Sequence, residues 1–184
     1  EAGDGDVVIE IDPGMAFGTG LHPTTRLCLR ELERRLRPGM EVMDLGTGSG
    51  IQAIAAAKLG AARVLALDTD PEAVKAARAH VLTNGLSAVV TVAQGTIPHP
   101  SAQSPFDLVV ANITAGVIGG LAQSLMAAIK PQGALIAGGI LADRAGEVRA
   151  RLTGAGGRVI QRRAQGDWRT LVVAPIIPNK EARA

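Results

Sequence analysis

The sequence is poor in cysteine and in aromatic residues. It contains one cysteine, Cys28, two phenylalanines, one tryptophan and no tyrosine among 184 residues. A single cysteine cannot form an internal disulfide or a multi-cysteine zinc site, so we interpret Cys28 as a small core residue of a protein in a reducing compartment. With so few aromatic residues, the core must be built from aliphatic side chains and alanine.

Long apolar runs and dense blocks of charge are also absent. The longest apolar run, residues 133 to 142, is far shorter than the roughly 20 residues that cross a bilayer, and no signal-peptide pattern opens the chain. The net charge is +2, and the arginines are spread along the chain. We therefore expect a single-domain, monomeric, cytoplasmic protein with no membrane segment and no direct requirement for nucleic acid.

A glycine-rich turn is the most informative feature that is present. Gly46, Gly48 and Gly50 alternate between a short apolar run, which predicts a buried strand, and an alanine-rich run, which predicts a helix. Glycine lets the backbone turn so tightly that a ligand can approach the main chain. A second predicted strand ends in Asp68, about 20 positions after the first glycine, where an acid reaches ribose hydroxyls. This layout is typical of a nucleotide-binding crevice.

The glycine spacing distinguishes two cofactor classes that share this layout. A dinucleotide fingerprint reads G-x-G-x-x-G, but Ile51 occupies the position of its third glycine. The sequence instead reads D-x-G-x-G-x-G from Asp44. That pattern resembles the first motif of the class I S-adenosylmethionine-dependent methyltransferases. The resemblance implies S-adenosyl-L-methionine as the cofactor, with its methionine tail received by glycine backbone groups and a nearby carboxylate.

The order of the predicted elements indicates an α/β fold. The final two strands are separated by three residues only, so they must form an antiparallel hairpin. We expect the Rossmann-like sheet of a class I methyltransferase, mostly parallel with an antiparallel C-terminal strand and helices on both faces. The predicted strands are residues 7–11, 42–45, 62–67, 89–94, 106–111, 134–140, 158–164 and 168–173. The predicted helices are residues 24–37, 51–59, 71–84, 114–129 and 143–153.

Three local stretches together resemble the PrmA-like ribosomal protein methyltransferases. They are the glycine-punctuated loop from Asp12 to Thr25, the motif from Asp44 to Gly50, and the strand end at Asn112. The resemblance implies methylation of amino groups, on lysine or the N-terminus, of the eleventh protein of the large ribosomal subunit. Family members carry an additional N-terminal domain. We therefore expect residues 1–174 to form the methyltransferase domain without that substrate-recruiting domain, followed by a C-terminal tail at residues 175–184.

The resemblance also assigns site residues by position. It implies a cofactor site formed by Thr25, Asp44, Gly46, Gly48, Gly50, Asp68 and Asn112. Asn112 is in addition the expected catalytic residue, because its amide can position the target amine near the methyl group. Proximity and orientation then supply most of the acceleration, and burial beside a positive charge lowers the pKa of the amine. Neither a dedicated general base nor a metal ion is expected.

Several of these positions have a structural alternative. Thr25 could cap its own helix, Asp68 could cap the helix that follows it, and Asn112 could be a turn residue. Phe17 could cover the cofactor or the target side chain as a lid, or it could anchor its loop. His22 could act as a base or hold the loop in place.

Other polar positions carry weaker indications. His80 and His99 are expected on the surface. The third predicted parallel strand ends in Gln94-Gly95-Thr96, without the acid that many methyltransferases use to bind the adenine amine. Backbone groups or Thr96 would have to take that role.

Four other functions fit part of the pattern. A related enzyme that methylates a lysine of an electron-transfer flavoprotein shares similar motifs. A nucleobase-amine methyltransferase typically carries Asn/Asp-Pro-Pro-Tyr where this sequence reads Asn112-Ile113-Thr114-Ala115, and it stacks the base on an aromatic ring. An NAD-dependent oxidoreductase is opposed by Ile51 and by the terminal hairpin. A non-catalytic cofactor-sensing module would keep the glycines without needing an open pocket on the methyl side.

Overall fold

The computed structural model describes residue 3 and residues 6–12 and 20–177. The strands are β1 (Glu41–Leu45), β2 (Arg63–Asp68), β3 (Val90–Gln94), β4 (Phe106–Asn112), β5 (Ile129–Leu141), β6 (Gly157–Gln165) and β7 (Trp168–Pro175). The helices are α1 (Pro23–Arg35), α2 (Ile51–Lys58), α3 (Pro71–Thr83), α4 (Ala115–Gly120), α5 (Ala122–Ala127) and α6 (Ala145–Gly154), with a 3-10 turn at Ala142–Arg144.

The strands form one sheet in the order β3-β2-β1-β4-β5-β7-β6. The pairs among β1 to β5 are parallel, and β7 lies antiparallel between β5 and β6. The predicted terminal hairpin and the mostly parallel sheet are therefore confirmed. The strand order reverses between β1 and β4, and in open α/β sheets the crevice beyond the carboxyl ends of such strands is where ligands bind.

Aliphatic side chains form a core on each face of the sheet. Alternate residues of a strand point to opposite faces, and in β1 Val42 belongs to one cluster while Met43 belongs to the other. Helices α1, α2 and α3 cover the Val42 side, and α4, α5 and α6 cover the Met43 side. Cys28 is fully buried on the α1 side, and burial raises the pKa of its thiol to about 12. Its expected place in the core is confirmed.

The strand predicted at residues 7–11 is not present. These residues have no regular secondary structure, and the sheet does not include them. The backbone of Glu10 is instead paired with one side chain: its N–H donates to Asn84 Oδ1 at 3.1 Å, and its carbonyl accepts from Asn84 Nδ2 at 2.8 Å. The alternating isoleucines of this segment still pack against the core, which accounts for the strand-like pattern.

The long helix predicted at residues 114–129 is divided into α4 and α5. Two glycines end α4, and glycine has a low helix propensity because it loses the most backbone entropy on folding. The following strand, β5, begins at Ile129 rather than at residue 134 because Ile129 pairs with Phe106, before a register shift. The other predicted elements differ mainly in their ends. Within the described residues, no helix is long and apolar enough to cross a membrane.

Candidate active site

A cavity of about 720 Å³ lies at the carboxyl ends of β1, β2 and β4. Its size is in the range of small-molecule sites, about 300–1,000 Å³. Five of the seven predicted cofactor-site residues line it, namely Thr25, Gly46, Gly48, Asp68 and Asn112. The other two, Asp44 and Gly50, lie behind the lining. The cavity therefore brings together motifs that are far apart in the sequence.

The glycine turn forms the floor of the cavity and joins β1 to α2. The N–H groups of Gly46 and Thr47 both donate to the carbonyl of Leu67, at 2.8 and 3.0 Å, which fixes the turn against β2. Gly46 has φ +74°, a conformation that L side chains rarely adopt, and a Cβ there would collide with the side chain of Ile113. Any side chain at position 46 would therefore strain the backbone and displace Ile113, which lines the cavity.

Asp68 holds the glycine turn from the end of β2. Its Oδ2 accepts from Gly48 N–H at 2.9 Å, and its Oδ1 accepts from Asp70 N–H at 3.1 Å. The helix α3 is capped by Asp70, whose Oδ1 accepts from Glu72 N–H at 2.9 Å. A carboxylate has about four lone-pair sites, so Asp68 can accept further hydrogen bonds from hydroxyl groups in the cavity.

Asp44 supports the same turn from inside the protein. It is fully buried, and its Oδ2 accepts from Thr47 Oγ1 at 2.6 Å and from Ala53 N–H at 3.2 Å. Burial raises the pKa of this carboxyl to about 6, although both hydrogen bonds act in the opposite direction. Asp44 thus connects β1, the turn and the first turn of α2 without lining the cavity.

Asn112 and Thr25 meet on the other side of the cavity. Asn112 is the last residue of β4, and its Nδ2 donates to Thr25 Oγ1 at 3.4 Å. The N-cap of α1 is His22, whose side chain accepts from Thr24 N–H, so Thr25 is not the capping residue. Gly138 on β5 leaves room for this pair, because a Cβ there would lie 3.0 Å from Asn112 Oδ1.

Trp168 also lines the cavity, and the sequence did not point to it. Its ring stands edge-on to that of His22, with the ring centroids 4.9 Å apart and an interplanar angle of 71°. His22 Nδ1 lies 2.8 Å from Thr24 Oγ1, so this ring nitrogen is engaged at the start of α1. The two rings form a wall on the side of Asn112. Trp168 reaches this position because β7 inserts next to β5.

Four further predicted positions have different outcomes. Phe17 lies outside the described residues, so its role stays a prediction. Gly95 and Thr96 line the cavity beyond β3, where an adenine acceptor was expected. The surface position predicted for His80 is wrong: the side chain is buried, and both ring nitrogens have partners. No cluster of metal-ligating side chains is found in the described part of the chain.

The sheet order, the single antiparallel strand and the glycine turn at the end of β1 define a class I methyltransferase fold. Solved structures agree. A ribosomal protein L11 methylase from Lactobacillus delbrueckii subsp. bulgaricus superposes with a TM-score of 0.81 at 34% identity, covering 91% of this chain and 84% of that one. A precorrin-6y C5,15-methyltransferase from Geobacter metallireducens shares the fold alone, with a TM-score of 0.69 at 17% identity over 90% and 92% of the two chains.

Sequence comparison identifies the family. Residues 1–175 match the family described as ribosomal protein L11 methyltransferase (PrmA). The chain is 48% identical over 190 aligned positions to the protein of that name from Chloroflexus aurantiacus. It is 50% identical over 167 aligned positions to the one from Pelotomaculum thermopropionicum. It belongs to the ribosomal protein L11 methyltransferase family, as the motifs implied. The alignments cover 91% of this chain but 58% and 54% of these relatives, so the chain spans about half of their length.

Proposed function

We propose that this chain is an S-adenosylmethionine-dependent methyltransferase that transfers methyl groups to amino groups, on lysine or the N-terminus, of ribosomal protein L11. The observation that carries this proposal is the shared cavity. It joins the glycine turn and Asp68 on one side to Asn112, Thr25 and Trp168 on the other. The proposed cofactor site and the proposed acceptor site thus share one cavity, as a direct transfer between two bound molecules requires.

The residues on the β1 and β2 side fit the cofactor. S-adenosylmethionine supplies a transferable methyl group on a positively charged sulfur. Asp68 is our candidate for accepting hydrogen bonds from the ribose hydroxyls, and the glycine turn offers backbone groups at close approach because Gly46 has no side chain. Gly95 and Thr96, beyond β3, are our candidates for the adenine contact.

On the other side, Asn112 is our candidate for orienting the acceptor amine. Its Nδ2 is held by Thr25, which leaves Oδ1 as an acceptor for an amine N–H. This hydrogen bond would orient the lone pair of the amine nitrogen toward the methyl group, and no side chain would need to act as a base. Among the described cavity-lining residues the only carboxylate is Asp68, on the opposite side. Solvent is therefore the proposed proton acceptor, and the main contribution of these residues is orientation.

The setting of the reaction is part of the same proposal. Ribosomal protein L11 is the proposed partner, and the cytoplasm is the proposed location. We propose that the chain works as a monomer, without binding nucleic acid or a membrane, and that residues 1–174 form the methyltransferase domain. The longer relatives are named for the same activity. We propose that the part of those relatives absent from this alignment recruits the substrate, which would raise the effective concentration of the amine.

Calorimetry with S-adenosylmethionine, S-adenosylhomocysteine and NAD tests the cofactor assignment. We expect binding of both adenosyl ligands and no binding of NAD, because the turn lacks the third glycine of a dinucleotide fingerprint. NAD binding of equal or greater affinity would contradict the proposal. Acceptor choice is tested separately with labelled cofactor, by comparing ribosomal protein L11 with an electron-transfer flavoprotein. We expect label on L11.

A further inference from the structure

One face of α3 and its C-cap contacts both the glycine turn and the segment of residues 6–12. Three side chains at spacings of three and four residues make these contacts. Ala77 lies under Gly50, where a Cβ would be 3.3 Å from the Ala77 backbone. His80 reaches the turn at Ser49, and Asn84 holds Glu10. A stripe with this spacing lies on one side of a helix.

His80 is the member of this stripe that touches both partners. Its side chain is 3% exposed, its Nδ1 lies 2.7 Å from the carbonyl oxygen of Ser49, and its Nε2 accepts from Asp12 N–H at 3.0 Å. A carbonyl oxygen can only accept, so Nδ1 must carry the hydrogen. Nε2 is then the unprotonated nitrogen that accepts from Asp12 N–H. One imidazole in one tautomer therefore connects the cavity floor to the backbone at Asp12.

The segment of residues 6–12 depends on such side-chain contacts. It takes no part in the sheet, and its backbone is held by Asn84 at Glu10 and by His80 at Asp12. On the far side of the glycine turn, Gly20 approaches the first residue of α2, where a Cβ would lie 2.9 Å from Ile51 Cδ1. Asp12 is thus linked to the turn through His80, and Gly20 lies against the helix that follows the turn.

We propose that His80 is a positioning residue that couples the docked segment of residues 6–12 to the cofactor-binding turn, so that cofactor binding and docking of the segment stabilise each other. The proposal rests on the cofactor assignment made above. Ser49 and Gly48 line the cavity, so a ligand that orders the turn also orders the carbonyl that His80 holds. Coupling between two sites is reciprocal, so the docked segment must favour the ligand by the same factor.

Asp12 amide exchange with and without S-adenosylhomocysteine measures this coupling, with His80→Asn and Asn84→Ala as a matched pair. Asparagine can still donate to Ser49 but is too short to accept from Asp12. Asn84→Ala releases Glu10 and the His80 carbonyl but leaves both contacts of the His80 ring in place. We expect faster exchange in both variants, with ligand protection of the Asp12 amide retained in Asn84→Ala and lost in His80→Asn.

Cofactor affinity, measured by calorimetry, provides the second result. We expect His80→Asn to weaken S-adenosylhomocysteine binding about 5- to 30-fold, within the usual range of coupling between sites. A histidine that only filled space would leave ligand protection of Asp12 unchanged. The proposal is overturned if His80→Asn keeps wild-type affinity, or if ligand still protects Asp12 in that variant. Failure of the wild-type protein to bind the ligand would instead overturn the cofactor assignment.

Discussion

Two carboxylates hold the same glycine turn in different surroundings. Asp68 borders the cavity, accepts hydrogen bonds from backbone N–H groups and keeps further lone pairs available. Asp44 is buried beneath the turn beside Thr47. Removing the first should therefore change ligand binding, and changing the charge of the second should change stability. This difference leads to separate predictions for the two residues.

Replacing Asp68 by alanine should weaken binding of S-adenosylmethionine by roughly 2–4 kcal/mol, because charge-assisted hydrogen bonds to ribose are lost. Calorimetry measures the affinity. The matched control is Asp70→Ala, which removes the N-cap of α3 and should lower the free energy of unfolding by about 1 kcal/mol without changing affinity. A folded Asp68→Ala protein with wild-type affinity would contradict the ribose assignment.

Asp44→Asn should show the energetic effect of the buried charge through the pH dependence of unfolding. The folded-state pKa of about 6 lies above that of an unfolded aspartate, so protonation stabilises the folded state. This contribution is complete below about pH 4 and is lost as pH rises through 6. Relative to Asp44→Asn, the wild type should therefore lose on the order of 3 kcal/mol between pH 4 and pH 7.

Chemical denaturation of both proteins across that pH range provides the measurement. Asparagine keeps an oxygen that can accept from Thr47 and Ala53, so the comparison isolates the charge. Parallel stability curves for the two proteins would show that the pKa of Asp44 is not raised in the folded state.

Asn112→Ala should lower kcat by about 100-fold, the cost of a small misplacement of reacting groups, and should lower cofactor affinity much less. Thr25→Val serves as the control, because it removes only the hydroxyl that holds the amide in place. We expect it to reduce kcat by a smaller factor. Steady-state kinetics with ribosomal protein L11 measures both variants, and an unchanged kcat in Asn112→Ala would end its positioning role.

The position of a single residue could be predicted from the sequence when it follows directly from the strand that the residue ends. Asp68 and Asn112 each end a parallel strand, so their position at the crevice could be inferred from the sequence. Trp168 could not be placed in this way, because its contact with His22 depends on which strand β7 pairs with. The burial of His80 depends equally on the packing of α3 against the glycine turn.

Among the elements, the alternation of strands and helices was predictable because each carries its own apolar period. The two errors have physical causes. The segment of residues 6–12 has the alternating apolar residues of a strand. Its Glu10 backbone, however, is hydrogen-bonded to the side chain of Asn84 instead of to a neighbouring strand. The run at residues 114–129 has helical composition, but consecutive glycines allow the break between α4 and α5.

Two glycines with open space around them, one of them in the short helix α4, allow a test of the effect of backbone conformation alone. Neither Gly116 nor Gly85 has an atom within 4 Å of an added Cβ, but Gly116 lies in α4 and Gly85 has φ +70°. Gly116→Ala should raise the free energy of unfolding by about 0.4–1 kcal/mol, and Gly85→Ala should lower it by about 1 kcal/mol. Denaturant unfolding measures both changes in the free energy of unfolding. Changes of the same sign would contradict the helical conformation of Gly116 or the positive φ of Gly85.

For the whole molecule, the fold class could be predicted from the terminal hairpin together with the glycine turn. A two-strand hairpin at the end of a parallel arrangement fixes one antiparallel strand, and the turn places the crevice at the end of β1. The sheet order was not predictable in the same way, because β7 lies between β5 and β6 although it follows both in the chain. That order completes the cavity by bringing Trp168 to its wall.

The most direct test of the proposed activity is mass spectrometry of ribosomal protein L11 after incubation with this chain and S-adenosylmethionine. A full-length relative serves as the positive control, and L11 is supplied at high concentration because the chain spans about half the length of its relatives. We expect methyl groups on amino nitrogens of L11, formed far more slowly when Asp68 or Asn112 is replaced by alanine. Unmodified L11 at every concentration, with the cofactor bound and the positive control active, would contradict it.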